Sequence, residues 1–316
     1  MTTKRKIIAI PKRNMKGRIS LLLLTLVLTG LLAILLKQLY QVPRVCEGVA
    51  GCPEDYAYPS GHTSVGFALV FPLLGTQLFW PAYLLATFMA IWRVELGVHN
   101  WFEIGGGLAT AGLAYALVEG YVIRKEKQVI HHDDERPRQT IHILVGVILS
   151  LFFFYDYGLS YLILLLGGWL GLMILNLKLL GYPIPIIDYL LNRFERKGSL
   201  PGEGSLYYVL GVLFASGLLQ NNVYGIISIL ITLSLGDGLA TVLGKHYGKH
   251  RLPWNPNKTW EGSLGYLIGS LPVLLLLNMN IGIPFILILT LIESLPLRID
   301  DNILLPIIGS SFLYFV

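Results

Sequence analysis

The stretch ISLLLLTLVLTGLLAILLKQLYQVPR occupies residues 19–44. From Ile19 to Leu36 it carries no charge, and a run of that length fits a helix across a bilayer core of about 30 Å. Lys37 and Arg44 follow at once. The rest of the chain repeats the theme: of 316 residues 54% are hydrophobic and only 14% charged, and the mean hydropathy is +0.64. Apolar runs recur near 63–79, 82–98, 104–122, 140–156, 159–178, 205–219, 223–240, 260–279, 282–297 and 303–316. With 19–39 they predict an all-α polytopic membrane protein of about eleven transmembrane helices in two helical-bundle domains. The first run follows a basic leader, as in a signal peptide, but no small-residue cleavage site comes after it. It is read as a retained anchor.

Charge then sets the orientation, because Lys and Arg favour the cytoplasmic side of short loops. The leader carries Lys4, Arg5, Lys6, Lys12, Arg13, Lys16 and Arg18, which places the N-terminus in the cytoplasm. Alternation puts Arg124, Lys125, Lys127, Arg136 and Arg138 on the same side. It does the same for Lys178, Arg193, Arg196, Lys197, Lys245, Lys249, Arg251, Lys258 and Arg298. Of the 24 Lys and Arg, only Lys37, Arg44 and Arg93 are left outside. The net charge of +5 therefore reports orientation, and no nucleic-acid partner is implied.

The mixed-charge break RKEKQVIHHDDERPRQ, from Arg124 to Gln139, divides the chain. The expected domains are 1–123, a charged cytoplasmic linker at 124–138, and 139–316. The cluster His131-His132-Asp133-Asp134 is read as solvated linker, since neighbours in a flexible loop do not preorganise a metal site. Both cysteines, Cys46 and Cys52, fall in the first outer loop, where an oxidising compartment favours a disulfide.

The three outer cations keep particular company. Lys37-x6-Arg44 precedes Pro59-Ser60-Gly61-His62, and Arg93-x5-His99-x3-Glu103 follows. Phosphoryl transfer needs a nucleophile, an acid for the leaving oxygen, and positive charge on the equatorial oxygens. His99 is the expected nucleophile and His62 the acid, then base for water. Glu103, about one helical turn on, would orient the His99 ring. Lys37, Arg44 and Arg93 would bind phosphate with the Ser60 hydroxyl and the Gly61 amide, at the start of a helix. The set requires no metal.

This three-part order resembles the signature of the type 2 phosphatidic acid phosphatase family over roughly residues 19–122. The resemblance implies a phosphohistidine mechanism at an outer membrane face. The chain departs from the family pattern at Val45 after Arg44, at Trp92 before Arg93, and at Glu103 in place of Asp.

A second array lies on the inner side: GDGLATVLGKHYGKHRLPWNPNKTWEGSLG, residues 236–265. Glycines allow close backbone approach, lysines neutralise phosphates and Asp237 suits a divalent cation. It is not a Walker A loop, since His246 stands where Ser or Thr belongs. The array is similar to that of the polyprenol kinase family, which includes dolichol kinase, phytol kinase and a CTP-dependent diacylglycerol kinase. Arg138-x3-His142, Lys197 with Pro201-Gly202-Glu203-Gly204, and Glu293 with Asp301-Asn302 and Pro306 follow the same order. The resemblance implies CTP as donor, Mg2+ or another divalent cation, and a long-chain alcohol as acceptor. Asp237 is the expected catalytic metal ligand, with Glu293 or Asp301 as a second carboxylate or as a helix-orienting residue. Gly236, Gly238, Gly244, Lys245, Lys249, Lys258, Thr259 and Glu261 are expected to contact nucleotide.

A phosphatase and a kinase on one monophosphate would form a futile cycle. A phosphatase taking a polyprenyl or dolichyl diphosphate to the monophosphate would instead join a kinase making the same product from the free alcohol. That is the leading expectation, in a plasma membrane, with isoprenoid or other long-chain lipid phosphates and alcohols, CTP and membrane lipids as partners. A phosphatidate-type phosphatase with a diacylglycerol, geranylgeraniol or phytol kinase is the alternative. A cytidylyltransferase-like C-terminal half and a non-enzymatic scaffold are the others.

Overall fold

The computed structural model describes residues 15–123, 136–194 and 201–316. The His131–Asp134 cluster, Lys197, most of the linker and most of the basic leader lie outside them. Each apolar run becomes a helix. The first half holds α1 (Met15–Tyr40), α2 (Gly61–Val70), α3 (Phe79–Glu95) and α4 (Trp101–Val118). After the linker come α5 (Arg136–Tyr155), α6 (Tyr157–Leu179), α7 (Pro185–Phe194) and α8 (Glu203–Leu219). Then follow α9 (Val223–Ile231), α10 (Asp237–His246), α11 (Trp260–Ser270), α12 (Met279–Ser294) and α13 (Asp301–Tyr314). Among the described residues five spans are long and apolar enough to cross a membrane: 17–40, 101–122, 137–155, 157–179 and 223–246. Leu23, Val27, Leu31, Ile34 and Leu35 of α1 face outward, as do Val147, Leu151 and Phe154 of α5. Apolar side chains on the outside are what a hydrocarbon solvent permits.

Several boundaries differ from the apolar runs for identifiable reasons. The run at 63–79 leaves α2 for a 3-10 turn at Phe71–Leu73, where Pro72 lacks an N–H, and Gly75 turns the chain at φ +75°. The run at 260–279 ends likewise at Ser270, before Pro272. The span 223–246 is α9 and α10 joined by a π-turn at Thr232–Gly236. Two elements went unexpected in segments read as polar loops. One is α7, whose Ile186, Tyr189 and Leu190 are exposed while Asp188 pairs with Lys178 at the end of α6. The other is an antiparallel hairpin of β1 (Arg251–Leu252) and β2 (Asn255–Thr259).

Contacts between helix ends agree with strict alternation. At one end Arg18 donates to the Leu74 carbonyl (3.3 Å), the Gly75 amide donates to Asn176 (2.8 Å), and Gly120 abuts the Arg298 carbonyl. At the other, Tyr40 meets Ser311 (2.6 Å), Tyr314 donates to the Tyr40 carbonyl (2.7 Å), and Tyr161 donates to the Phe102 carbonyl (2.9 Å). The two halves share one continuous core in which α4 lies between α2 and α8.

Three consecutive glycines allow this. A Cβ at Gly105 would lie 1.9 Å from the Tyr161 hydroxyl, one at Gly106 2.4 Å from the Tyr58 ring, and one at Gly107 2.7 Å from the Ser60 carbonyl. The bare surface of α4 thus receives Tyr58-Pro59-Ser60, and Tyr58 reaches across to donate to the Phe214 carbonyl of α8 (2.6 Å). Gly106→Val therefore drives a side chain into the Tyr58 ring. It is expected to cost about 3 kcal/mol, the upper end for overpacking, and to lower the detergent-solubilised melting temperature. Gly167→Val on α6, where a Cβ meets nothing within 4 Å, is the control.

Candidate active sites at the two ends of the bundle

The outer site is built on the start of α4. Asn100 caps the helix: its side chain accepts the Glu103 amide (3.1 Å), and the Glu103 carboxylate accepts the Asn100 amide (3.1 Å). This Asn-x-x-Glu capping box holds Glu103 at the helix entrance, almost wholly buried. The same Oε2 accepts a bond from Nδ1 of His99 at 2.6 Å. Nδ1 therefore carries the proton. On the other side of the ring, Nη1 of Arg44 lies 3.2 Å from Nε2. A guanidinium only donates, so Nε2 presents its lone pair. Burial pushes the His99 pKa down, against the opposing pull of Glu103, with Arg44 and Lys37 adding to the depression. The result is a neutral, oriented imidazole whose free nitrogen points at a cation.

The other expected residues converge from separate elements. The Ser60 amide donates to the Glu103 carbonyl (3.0 Å), which ties the Pro59–His62 turn to α4. The Ser60 hydroxyl accepts from Thr63 (3.1 Å), and Gly61 sits over the Lys37 chain. His62 is exposed in the first turn of α2, within the fields of Arg93, Asp55, Lys37 and Arg44. Arg93 closes α3, and its Nε is buried without a hydrogen-bond partner. Arg44 also donates to the Val98 carbonyl (2.9 Å). Cys46 and Cys52 are joined by a disulfide in the loop beyond it. Arg44 borders two cavities, of about 550 and 440 Å3; the larger is also lined by Leu218, Leu219 and Leu313.

One participant escaped the sequence reading. Asp55 bridges the two cations, with Oδ2 2.8 Å from Lys37 Nζ and Oδ1 2.5 Å from Arg44 Nη2. Partial burial raises its pKa, but the bonds from Lys37 and Arg44 outweigh that and hold it at about 2. No motif flagged it, since a lone Asp in a loop has no spacing to read.

At the inner end the hairpin does the positioning. Trp254 Nε1 donates to Ser294 Oγ (3.2 Å) and Asn255 Nδ2 to the Ser294 carbonyl (3.0 Å), pinning the hairpin to the end of α12. Lys258 on β2 then lies between Glu293 (2.7 Å) and Asp301 (3.1 Å). Its pKa is raised: burial opposes the charge, and Asp301, Glu293 and Asp237 together prevail. Asp237 thus belongs to the same charged cluster, and Glu293 and Asp301 both serve it.

Other residues of the array have different places. Gly236 faces Ser270 and Tyr266, Gly238 faces Ile143, and Gly244 faces Gly262. They bring this segment close to α11 and, at Gly238, to α5. Thr259 caps α11 by accepting the Gly262 amide (3.1 Å), and Glu261 binds His250 Nδ1 (2.7 Å). Lys245 and Lys249 are exposed. Among the described residues no three His, Cys, Asp or Glu side chains gather into a self-sufficient metal site. The donors still fit a hard cation such as Mg2+, which keeps waters and phosphate oxygens as ligands. Asp237 and Glu293 offer oxygen only, and Glu293 Oε2 is buried with no partner.

Known proteins resemble this chain. The PAP2 superfamily model matches residues 18–126. A probable phytol kinase 2 of Oryza sativa subsp. japonica is 28% identical over 171 residues, 53% of this chain and 55% of that protein. A probable phytol kinase of Zea mays is 30% identical over 224 residues, 63% of this chain and 72% of that one. The farnesol kinase of Arabidopsis thaliana is 29% identical over 136 residues, 42% and 44% respectively. The chain thus spans about half of the first and less than half of the last. All three are named as chloroplastic. No solved structure matches.

Removing Lys258 leaves Glu293 as an unpaired buried carboxylate. Lys258→Met is expected to destabilise the inner end by about 3–5 kcal/mol, and adding Glu293→Gln to recover a large part of that. A double-mutant cycle on thermal unfolding reads the coupling. Additive losses would show that the pair does not hold this end together.

Proposed function

The chain belongs to the phytol kinase family and carries a PAP2 superfamily domain in its N-terminal region, and on that premise we propose a membrane enzyme with two opposed active ends. One end is a lipid phosphatase and the other an isoprenoid alcohol kinase. One observation carries this reading: the His99–Glu103 dyad with its cations and the Lys258–Glu293–Asp301 cluster lie at opposite ends of one bundle. Residues 1–123 and 139–316 are assigned to the two activities, with 124–138 as cytoplasmic linker.

At the outer end Nε2 of His99 attacks phosphorus. Arg44, Lys37 and Arg93 take the charge on the phosphoryl oxygens, with Ser60 and the Gly61 amide beside them. The bond to the leaving oxygen breaks as His62 gives it a proton, leaving a phosphohistidine. His62 then removes a proton from water, which attacks the phosphohistidine and releases free phosphate and His99. Glu103 steadies the positive ring through Nδ1 and fixes the tautomer. No cofactor enters these steps.

At the inner end the acceptor is an isoprenoid alcohol and the donor is CTP. The alcohol oxygen bonds to the terminal phosphorus, the bond to the CDP oxygen breaks, and the alcohol proton passes to solvent or base. A divalent cation held by Asp237 and Glu293 would neutralise phosphate charge there. Lys258 stands ready to exchange carboxylate partners for phosphate, and Lys245, Lys249, Thr259 and Glu261 border the approach. If the phosphatase acts on a diphosphate, both ends deliver the same isoprenyl monophosphate and no futile cycle arises. The phytol and farnesol kinases among the relatives favour acceptors of that size over a dolichol. The proposed location is a plasma membrane, with the N-terminus on its cytoplasmic side. Cell fractionation tests that membrane against the chloroplast compartment of the relatives.

Product analysis decides. Purified protein supplied with isoprenyl diphosphate, or with isoprenol and CTP, is expected to yield monophosphate in both assays. His99→Ala should abolish the first activity and Asp237→Ala the second, each sparing the other. Absence of monophosphate from both wild-type assays would sink the proposal. The pH dependence follows from His99. Its pKa lies below the ordinary 6.5, so the ring stays neutral below that pH. The acid limb of phosphatase kcat/KM is expected under pH 6.5. Glu103→Gln should lower kcat by about 100-fold or more.

A further inference from the structure

Between the two outer cations sits a carboxylate that the reaction does not use. Asp55 gives one oxygen to Lys37 (2.8 Å) and the other to Arg44 (2.5 Å). Carboxylate and phosphate oxygens bind ammonium and guanidinium groups with the same geometry, so the two anions compete for these donors. We propose that Asp55 is an internal stand-in for the phosphoryl group, an intramolecular competitor that holds the cation clamp when empty and drives bound phosphate out. This rests on the outer site being a phosphatase, and it adds a residue that sets the site's affinity for phosphate.

Four features support it. The Asp55 side chain is 53% exposed, so it can swing away without unpacking a core. The 440 Å3 cavity is lined by Arg44 and Asp55 together, which leaves room for an incoming phosphoryl group at their contact. The carboxylate is tethered close by. It lies three residues after Cys52, whose bond to Cys46 closes a loop two residues beyond Arg44. A tethered ligand competes at a high effective concentration. Lastly, Arg93 keeps a buried Nε with no partner. It is the clamp cation that Asp55 does not pair, and so its charge is left for a bound anion.

Acid does not open this gate, because Asp55 stays ionised down to about pH 2. Only another anion does. Apparent affinity for phosphate is then reduced by the fraction of clamp that Asp55 leaves open. Phosphate binding is measured directly on the detergent-solubilised full chain by calorimetry, with inorganic phosphate as probe. Asp55→Asn and Asp55→Ala are each expected to bind it at least tenfold more tightly than wild type. Equal or weaker binding in whichever variant folds overturns the proposal, since Asp55 would then merely position Lys37 and Arg44. The readout needs no turnover. A wild type that hydrolyses no lipid phosphate sinks the phosphatase reading, while tighter phosphate binding in the variants still upholds Asp55 as the competitor.

Discussion

Glu103 is one residue with three obligations, and the outer site is assembled by meeting them together. Its carboxylate takes the Nδ1 proton of His99 and the Asn100 amide, and its carbonyl takes the Ser60 amide. Those bonds join the loop after α3, the entrance of α4 and the turn before α2. A buried carboxylate demands partners, because an unpaired one costs several kcal/mol. The fold meets that demand with the groups whose placement the chemistry needs. Replacing the shorter Asp of the related family by Glu keeps this set, since the capping box requires a side chain that reaches back to the N-cap amide.

The glycines of α4 carry the same logic into the core. The bonds of Glu103 close only if Tyr58-Pro59-Ser60 lies against the helix, and any Cβ at Gly106 or Gly107 prevents it. Tyr58 in turn spans the boundary between the halves and bonds the α8 backbone. The geometry of the outer site is therefore buttressed by the C-terminal half. The larger outer cavity makes the point again, because Arg44 and Glu103 share its wall with Leu218, Leu219 and Leu313.

Much of this was legible in the sequence where the signal was periodic or local. Apolar runs gave the helices, five of the spans being long enough to cross a membrane among the described residues, and cation asymmetry gave their alternation, which the contacts between helix ends follow. The outer motif was readable because its three parts keep fixed spacings. Elements that depend on partners far along the chain were not. The hairpin is short and pinned by Ser294, some forty residues away, so no local pattern marks it. Gly236, Gly238 and Gly244 fit a phosphate loop by composition, yet glycine serves close helix packing equally well. Asp55 was invisible because a pairing between an outer-loop carboxylate and a helix-end lysine has no sequence period.

The two ends solve one electrostatic problem in the same way. A cation meant for phosphate is needed near apolar surroundings, and a lone charge there is poorly tolerated. At the outer end Asp55 matches Lys37 and Arg44, and at the inner end Glu293 and Asp301 match Lys258. The compensation keeps each clamp charged and in place without ligand. It also means that an anion reaching either cluster would have to displace a carboxylate from its cation. An exchange of this kind weakens every phosphate ligand by a shared factor, product included. The inner exchange differs in one respect. Its carboxylates are more deeply set, with Glu293 6% exposed against 53% for Asp55, so a phosphate arriving there must come with positive charge of its own to leave them matched.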